Sequence, residues 1–209
     1  SRYWEVPYLP INPADIHREY EPVIRINSQS GKGGAAFVMQ QAVGYYLPKE
    51  MHPELGHIVK EAADQYGDEL SASQIVELFN KEYVDFQGNY QLGKHRVYDN
   101  QEAAEDSNTV FEGDVKAGGT DVHIIGSGNG PIDAFFSALH KIGVDGYSFI
   151  NYHEHAISQG SNSKAISYIE LAKPDGKHIF GVGIHPNINT ASLLGIINAI
   201  NRSEKSLEK

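Results

Sequence analysis

An α+β fold is predicted for this 209-residue chain: two β-β-β-α repeats in the C-terminal half, preceded by a small mixed subdomain and a helical hairpin. Three observations predict it. Apolar residues between 51 and 83 recur at helical spacing, those between 92 and 184 fall mainly into short β-type runs, and one glycine-containing strand end occurs twice.

Taken in order, VPYLPINP pins the start with prolines, 23–26 is β-leaning, SQSGKGG reads as a loop and 35–39 as a second strand pairing with the first. Leu55, Ile58, Val59, Ala62 and Tyr66 then share one helical face, leaving His57, Lys60, Glu61 and Asp64 for solvent. Ser71 and Gln74 have capping-box spacing, and Ile75, Leu78, Phe79 and Tyr83 form the apolar face of the next helix. Gly67 and Asp68 supply the turn between the two helices, and 86–89 reads as a linker. The expected units are therefore 1–50 (mixed), 51–88 (helical) and 89–209.

In the third unit, β-type runs at 92–98, 109–115 and 121–125 precede a glycine turn and a helix with Ile132, Phe135, Phe136, Leu139 and Ile142 on one face. Runs at 147–152, 165–171 and 178–184 precede the closing helix. Gly126, Gly128 and Pro131 of IIGSGNGP recur as Gly181, Gly183 and Pro186 of IFGVGIHP, an offset of 55, and the helical apolar residues recur at 58. Three strands before each helix favour consecutive antiparallel pairing, because parallel neighbours need long crossovers. The four glycines are read as turn residues.

Composition narrows the function classes. A charge of -10, from 17 basic and 27 acidic residues, opposes binding to phosphate backbones or anionic lipid, so neither nucleic acid nor a membrane is an expected partner. No cysteine is present, which excludes disulfides and thiolate chemistry and makes a cytoplasmic setting the default. The longest nearly apolar stretch, 191–200, is too short to span a bilayer, and the first residues lack the features of a signal peptide.

GSGNGP, between a strand and a helix, can present backbone N–H groups and a helix N-terminus to a carboxylate or phosphate; a tight turn with no ligand is the plainer alternative. It lacks the third glycine and the β-α-β frame of a dinucleotide fingerprint. SGKGG has Ile26 where a P-loop requires its first glycine, and Gly33 in place of the Ser or Thr after the lysine. His153 and His155 of NYHEHAIS fall on one face of an extended strand, a spacing that suits a metal only with a third ligand; packing is the preferred role. Glu154 and His155 point to opposite faces and make a poor acid–base pair.

VPYLPINP and YEPVIRINSQSGKGG resemble the segment that follows the catalytic barrel in the longer type of 2-isopropylmalate synthase, and GSGNGPIDAF, YHEHAISQGSNSKAISYIEL and FGVGIHPNINTASL resemble that family's leucine-sensing domain in the same order. The resemblance implies feedback regulation by L-leucine in an acyltransferase of leucine biosynthesis that condenses acetyl-CoA with 2-oxoisovalerate. It also implies a homodimer, and a partner in the enzyme's own catalytic barrel. That barrel, with its divalent metal, is absent from this chain, so no cofactor and no activity are expected of the chain alone.

Carried over by position, the leucine site comprises Asn129, Gly130, Ile132 and Asp133 at the first glycine turn, Phe149, Tyr152 and Ala156 on the next strand, Ser163 and Ala165 beyond it, and Ile188 at the end of the second repeat. Tyr8 corresponds to a linker tyrosine that reaches the partner's active site. Asp133 and Ser163 depart from the usual small residue and alanine, and Asp133 either meets the ligand ammonium or points to water. The alternatives are an isoleucine-sensing, citramalate synthase-like domain and a stand-alone metal-binding protein built on the His-Glu-His strand.

Overall fold

The computed structural model of the chain describes residues 34–67, 69–159 and 161–207. The expected strand at 23–26, residues 28–33 of the loop after it and Tyr8 lie outside these residues.

The first described element corrects an expectation. Residues 35–39, read as a strand, belong to helix α1, Gly34–Val43. Ala35, Ala36, Val38 and Met39 are its buried residues, so the apolar positions follow a helical stripe with Phe37 left half exposed. Gly44, at φ 70°, ends the helix by bonding its N–H to the Gln40 carbonyl. Helix α2, His52–Tyr66, starts with a proline in its first turn and stops at left-handed Gly67. Its face is rotated slightly from expectation, because Ala63 is buried and Tyr66 is exposed.

Helix α3, Ala72–Phe79, begins with the predicted capping box. The Gln74 N–H donates to Ser71 Oγ at 3.3 Å and the Ser71 N–H to Gln74 Oε1 at 2.8 Å; losing such a cap costs about 1 kcal/mol. A π-helical turn, Asn80–Val84, continues it and keeps Tyr83 buried.

The C-terminal half contains the predicted repeats. Strands β1 (Tyr90–Asp99), β2 (Thr109–Ala117) and β3 (Thr120–Gly128) form an antiparallel sheet in sequence order, followed by helix α4, Pro131–Leu139. Strands β4 (Ser148–Gln159), β5 (Asn162–Ala172) and β6 (His178–His185) repeat the arrangement before helix α5, Ile188–Leu207.

All four motif glycines lie within strands, not in turns. A Cβ on Gly126 would collide with the backbone of Ala134 and Ala138, and one on Gly181 with the backbone of Gly195 and Ala199. Their shared purpose is close approach of helix to strand. These contacts equate Ala134 with Gly195 and Ala138 with Ala199, an offset of 61, so α5 crosses its strand further along than the apolar pattern suggests.

Burial distinguishes the two sheets. In β2, Phe111, Gly113 and Val115 face inward while Glu112 and Asp114 face out, the alternation of a sheet covered on one side. In β5, Ile166, Ser167, Tyr168 and Ile169 are all buried, because this sheet is covered on both sides. One face joins α4, α5 and the first sheet in a common core that includes Phe111, Phe135, Ile169 and Leu193. The other, through Ile166, Tyr168, Phe180 and Val182, packs on the helices of 35–84. The open face of the first sheet carries Arg96, paired to Glu112 at 2.7 Å, and His123, which bonds Asp114 at 2.8 Å and Glu112 at 3.1 Å. His178 and Glu170, 2.8 Å apart, repeat the His–Glu pair in the second sheet.

Candidate functional site

The residues that the resemblance assigns to a ligand fall into two groups. The first surrounds the start of α4. Gly130 is its N-cap, with φ -175° and ψ 178°, and its carbonyl accepts the Ala134 N–H at 2.9 Å. This is extended backbone open to any residue, and a Cβ there would meet nothing within 4 Å; the glycine serves neither a left-handed turn nor helix packing. First-turn N–H groups have no acceptor one turn earlier in the helix, which leaves positive partial charge at this end. Pro131, at the first helical position, has no N–H to contribute.

Asp133 occupies part of that field. Its Oδ2 accepts the Asn129 N–H at 2.9 Å and lies against Gly128, where a Cβ would collide with it. The carboxylate is thus anchored on the turn and does not simply point to water, and Gly128 is the residue that admits it. Ile132 is half-buried and packs on the shared core.

The second group lies on β4 and its neighbours. Strict alternation would send Phe149 and Tyr152 to opposite faces, but a register shift at Ile150 leaves Phe149 opposite Leu171 and Tyr152 opposite Ile169. Both therefore lie on the inner face, with ring centroids 5.9 Å apart, and remain 38% and 44% exposed beyond the core. Ala156 follows on that face, opposite Ala165, which in turn pairs with His185 of β6. Ser163 is opposite Ser158, and Ile188, 37% exposed, is the first residue of α5. Among the described residues, no hydrogen bond or ring contact links this group to the first. Both groups are partly open to solvent. β4 is also an edge strand, exposed along most of its length and carrying Phe149, Ile150 and Tyr152.

His153 and His155 lie on the opposite face of β4. The Tyr46 N–H donates to His155 Nε2 at 3.2 Å, the Tyr168 hydroxyl lies 2.9 Å from the same nitrogen, and Nδ1 lies 3.1 Å from the Ala156 carbonyl. Burial raises the Tyr168 hydroxyl far above its ordinary pKa, which keeps it a neutral donor. His155 thus ties the loop after α1 to the sheet. Among the described residues, no group of three or more His, Cys, Asp or Glu is arranged to hold a metal, and the engaged ring of His155 does not fit the role.

Sequence reasoning missed a third feature, a buried junction around Arg202. Its side chain is 6% exposed; Nη2 reaches Glu54 and Glu82, each at 2.9 Å, and Nη1 reaches the Phe180 carbonyl at 2.6 Å. Burial disfavours the guanidinium charge, but Glu54 and Glu82 outweigh that and raise its pKa. The available signal was an arginine continuing the apolar run of α5. Nearby, a cleft of ≈ 330 Å³ opens between 84–92, β6 and α5.

Residues 69–204 match the family model described as the LeuA allosteric (dimerisation) domain, and residues 1–40 match that of the alpha-isopropylmalate synthase post-catalytic domain-like family. A duplicated allosteric domain is the class of protein defined here. The chain belongs to the LeuA allosteric (dimerisation) domain family. It is 46% identical over 205 residues to the 2-isopropylmalate synthase of Clostridium acetobutylicum, covering 98% of this chain and 37% of that protein. The 2-isopropylmalate synthase of Pseudomonas putida strain GB-1 is 44% identical over 201 residues, covering 96% and 34%, and that of Acetoanaerobium sticklandii 38% identical over 204 residues, covering 97% and 35%. The chain therefore spans about a third of the length of these relatives. Among the described residues, no helix is long and apolar enough to cross a membrane.

Proposed function

We propose that this chain is the feedback-regulatory region of a 2-isopropylmalate synthase and that it binds L-leucine between two copies of itself. The observation that carries the reading is the pair of partly open groups, one at the start of α4 and one along the inner face of β4, on a chain whose family is described as allosteric and dimerising. A second copy closes them into a pocket. Leucine's carboxylate takes the first-turn N–H groups at Gly130, its ammonium lies beside the anchored Asp133 carboxylate, and Ile132, Phe149 and Ile188 enclose the isobutyl group.

In the parent enzyme, an acyltransferase of leucine biosynthesis in the cytoplasm, occupancy of this pocket inhibits the condensation of acetyl-CoA with 2-oxoisovalerate. The divalent metal and acyl-CoA sites belong to the barrel, so this chain alone turns over neither substrate. Calorimetric titration of the chain with leucine, with isoleucine in parallel, tests the proposal. Saturable leucine heat that exceeds that of isoleucine supports it. Preference for isoleucine points to a citramalate synthase-like sensor, and absence of both heats overturns it.

A further inference from the structure

The structure carries a connection between the pocket and the helices of 34–84, where α1 shares one core with α2, α3 and the π-helical turn and joins them as a single helical unit. Helix α5 is continuous from Ile188 to Leu207, with its first residue in the candidate site. Fourteen residues on, about 21 Å along the axis, Arg202 leaves the same helix for the helical unit. Its Nη2 bonds Glu54 of α2 at 2.9 Å, Nε and Nη2 bond Glu82 at 3.1 and 2.9 Å, and the guanidinium lies 4.3 Å over the Tyr83 ring, whose hydroxyl donates to Glu54 at 2.6 Å.

Two asparagines extend the junction. Asn198 donates to the Val84 and Val182 carbonyls, each at 2.8 Å, and Asn201 holds both the N–H and the carbonyl of Tyr90 at 3.0 and 2.9 Å. One short stretch of α5 therefore fixes the end of the helical unit, the start of β1 and the middle of β6. The buried guanidinium directs bonds to Glu54, Glu82 and the Phe180 carbonyl at once, a planar fork whose geometry holds these elements in one arrangement.

We infer that α5 couples the leucine pocket at its first turn to the helical unit, with Arg202 as the positioning residue that transmits occupancy. The inference rests on the pocket proposed above. Helix α5 is unbroken between the two ends and lies against β6 at Gly181 and Gly183, so a shift of its first turn as ligand closes on Ile188 is carried to the far-end anchors.

Amide hydrogen exchange of the 209-residue chain, with and without saturating leucine, tests it, alongside leucine calorimetry and a thermal unfolding curve on each preparation. In the unaltered chain leucine should slow exchange over 52–84 by about fivefold or more, the low end of ordinary coupling. Arg202→Lys keeps the charge and loses the fork, and Glu82→Gln weakens the junction from the other side without altering α5. Both should bind leucine as the unaltered chain does and lose the slowing over 52–84. Slowing that persists undiminished in both variants, or that is absent from the unaltered chain despite leucine heat, overturns the coupling alone. No leucine heat in the unaltered chain overturns the pocket and the coupling together.

Discussion

Replacing Gly130 with Asp separates ligand binding from folding. Gly130 has extended φ and ψ, and an added Cβ meets nothing within 4 Å. Asp is a preferred N-cap residue, whereas Gly is only a few tenths of a kcal/mol behind, so the variant should be as stable as the parent chain or slightly more so. The new carboxylate would occupy the position proposed for leucine's own. Two like charges about 4 Å apart at an effective dielectric of 20 repel by ~4 kcal/mol, which corresponds to about a thousandfold in affinity. Asp133, already anchored on the Asn129 N–H, adds to the negative field. Thermal unfolding and leucine calorimetry on one preparation report both effects, with Gly130→Ala as the uncharged control. The expected result is an unchanged unfolding temperature, lost leucine heat in the Asp variant and retained heat in the Ala variant. A folded Asp variant that binds leucine normally would refute the pocket.

Gly181→Ala is the opposite case: its Cβ meets the backbone of Gly195 and Ala199, so a loss of about 3 kcal/mol and a Tm lower by roughly 6–12 °C are expected, and an unchanged Tm would contradict the close-packing role. His123 should titrate above 6.5 by NMR, because its bonds to Asp114 and then Glu112 favour the charged ring. A folded pKa raised above the unfolded one means that this contribution is complete below the unfolded value and fades as pH rises through the folded one; Asp114→Asn should lower the midpoint, and no change would sink the assignment. Sedimentation at micromolar concentration should show a dimer that Tyr152→Lys converts to monomer, since the substitution places a charge on the exposed inner face of β4; a dimer unaffected by the change would remove β4 from the interface.

Element types in the repeats were legible because their apolar spacing is long and regular, and the capping box at Ser71 and Gln74 formed as its spacing requires. At 35–39 the apolar run is too short to distinguish strand from helix, and burial on a helical stripe decides it. The glycine repeat was visible, but whether glycine serves a turn or a close approach depends on where the helix crosses, a long-range property. The same limit hid the register shift at Ile150, without which Phe149 and Tyr152 would not share a face. It also hid the Arg202 junction, whose partners are 120 and 148 residues away in the chain.

A crystal structure of the chain grown with leucine would locate the ligand itself. One leucine per pocket is expected between two copies, its carboxylate at the first turn of α4 beside Gly130 and its isobutyl group against Phe149 and Ile188. Leucine bound within a single chain, for instance in the cleft between Val84 and Leu194, with the start of α4 unliganded, would contradict that placement.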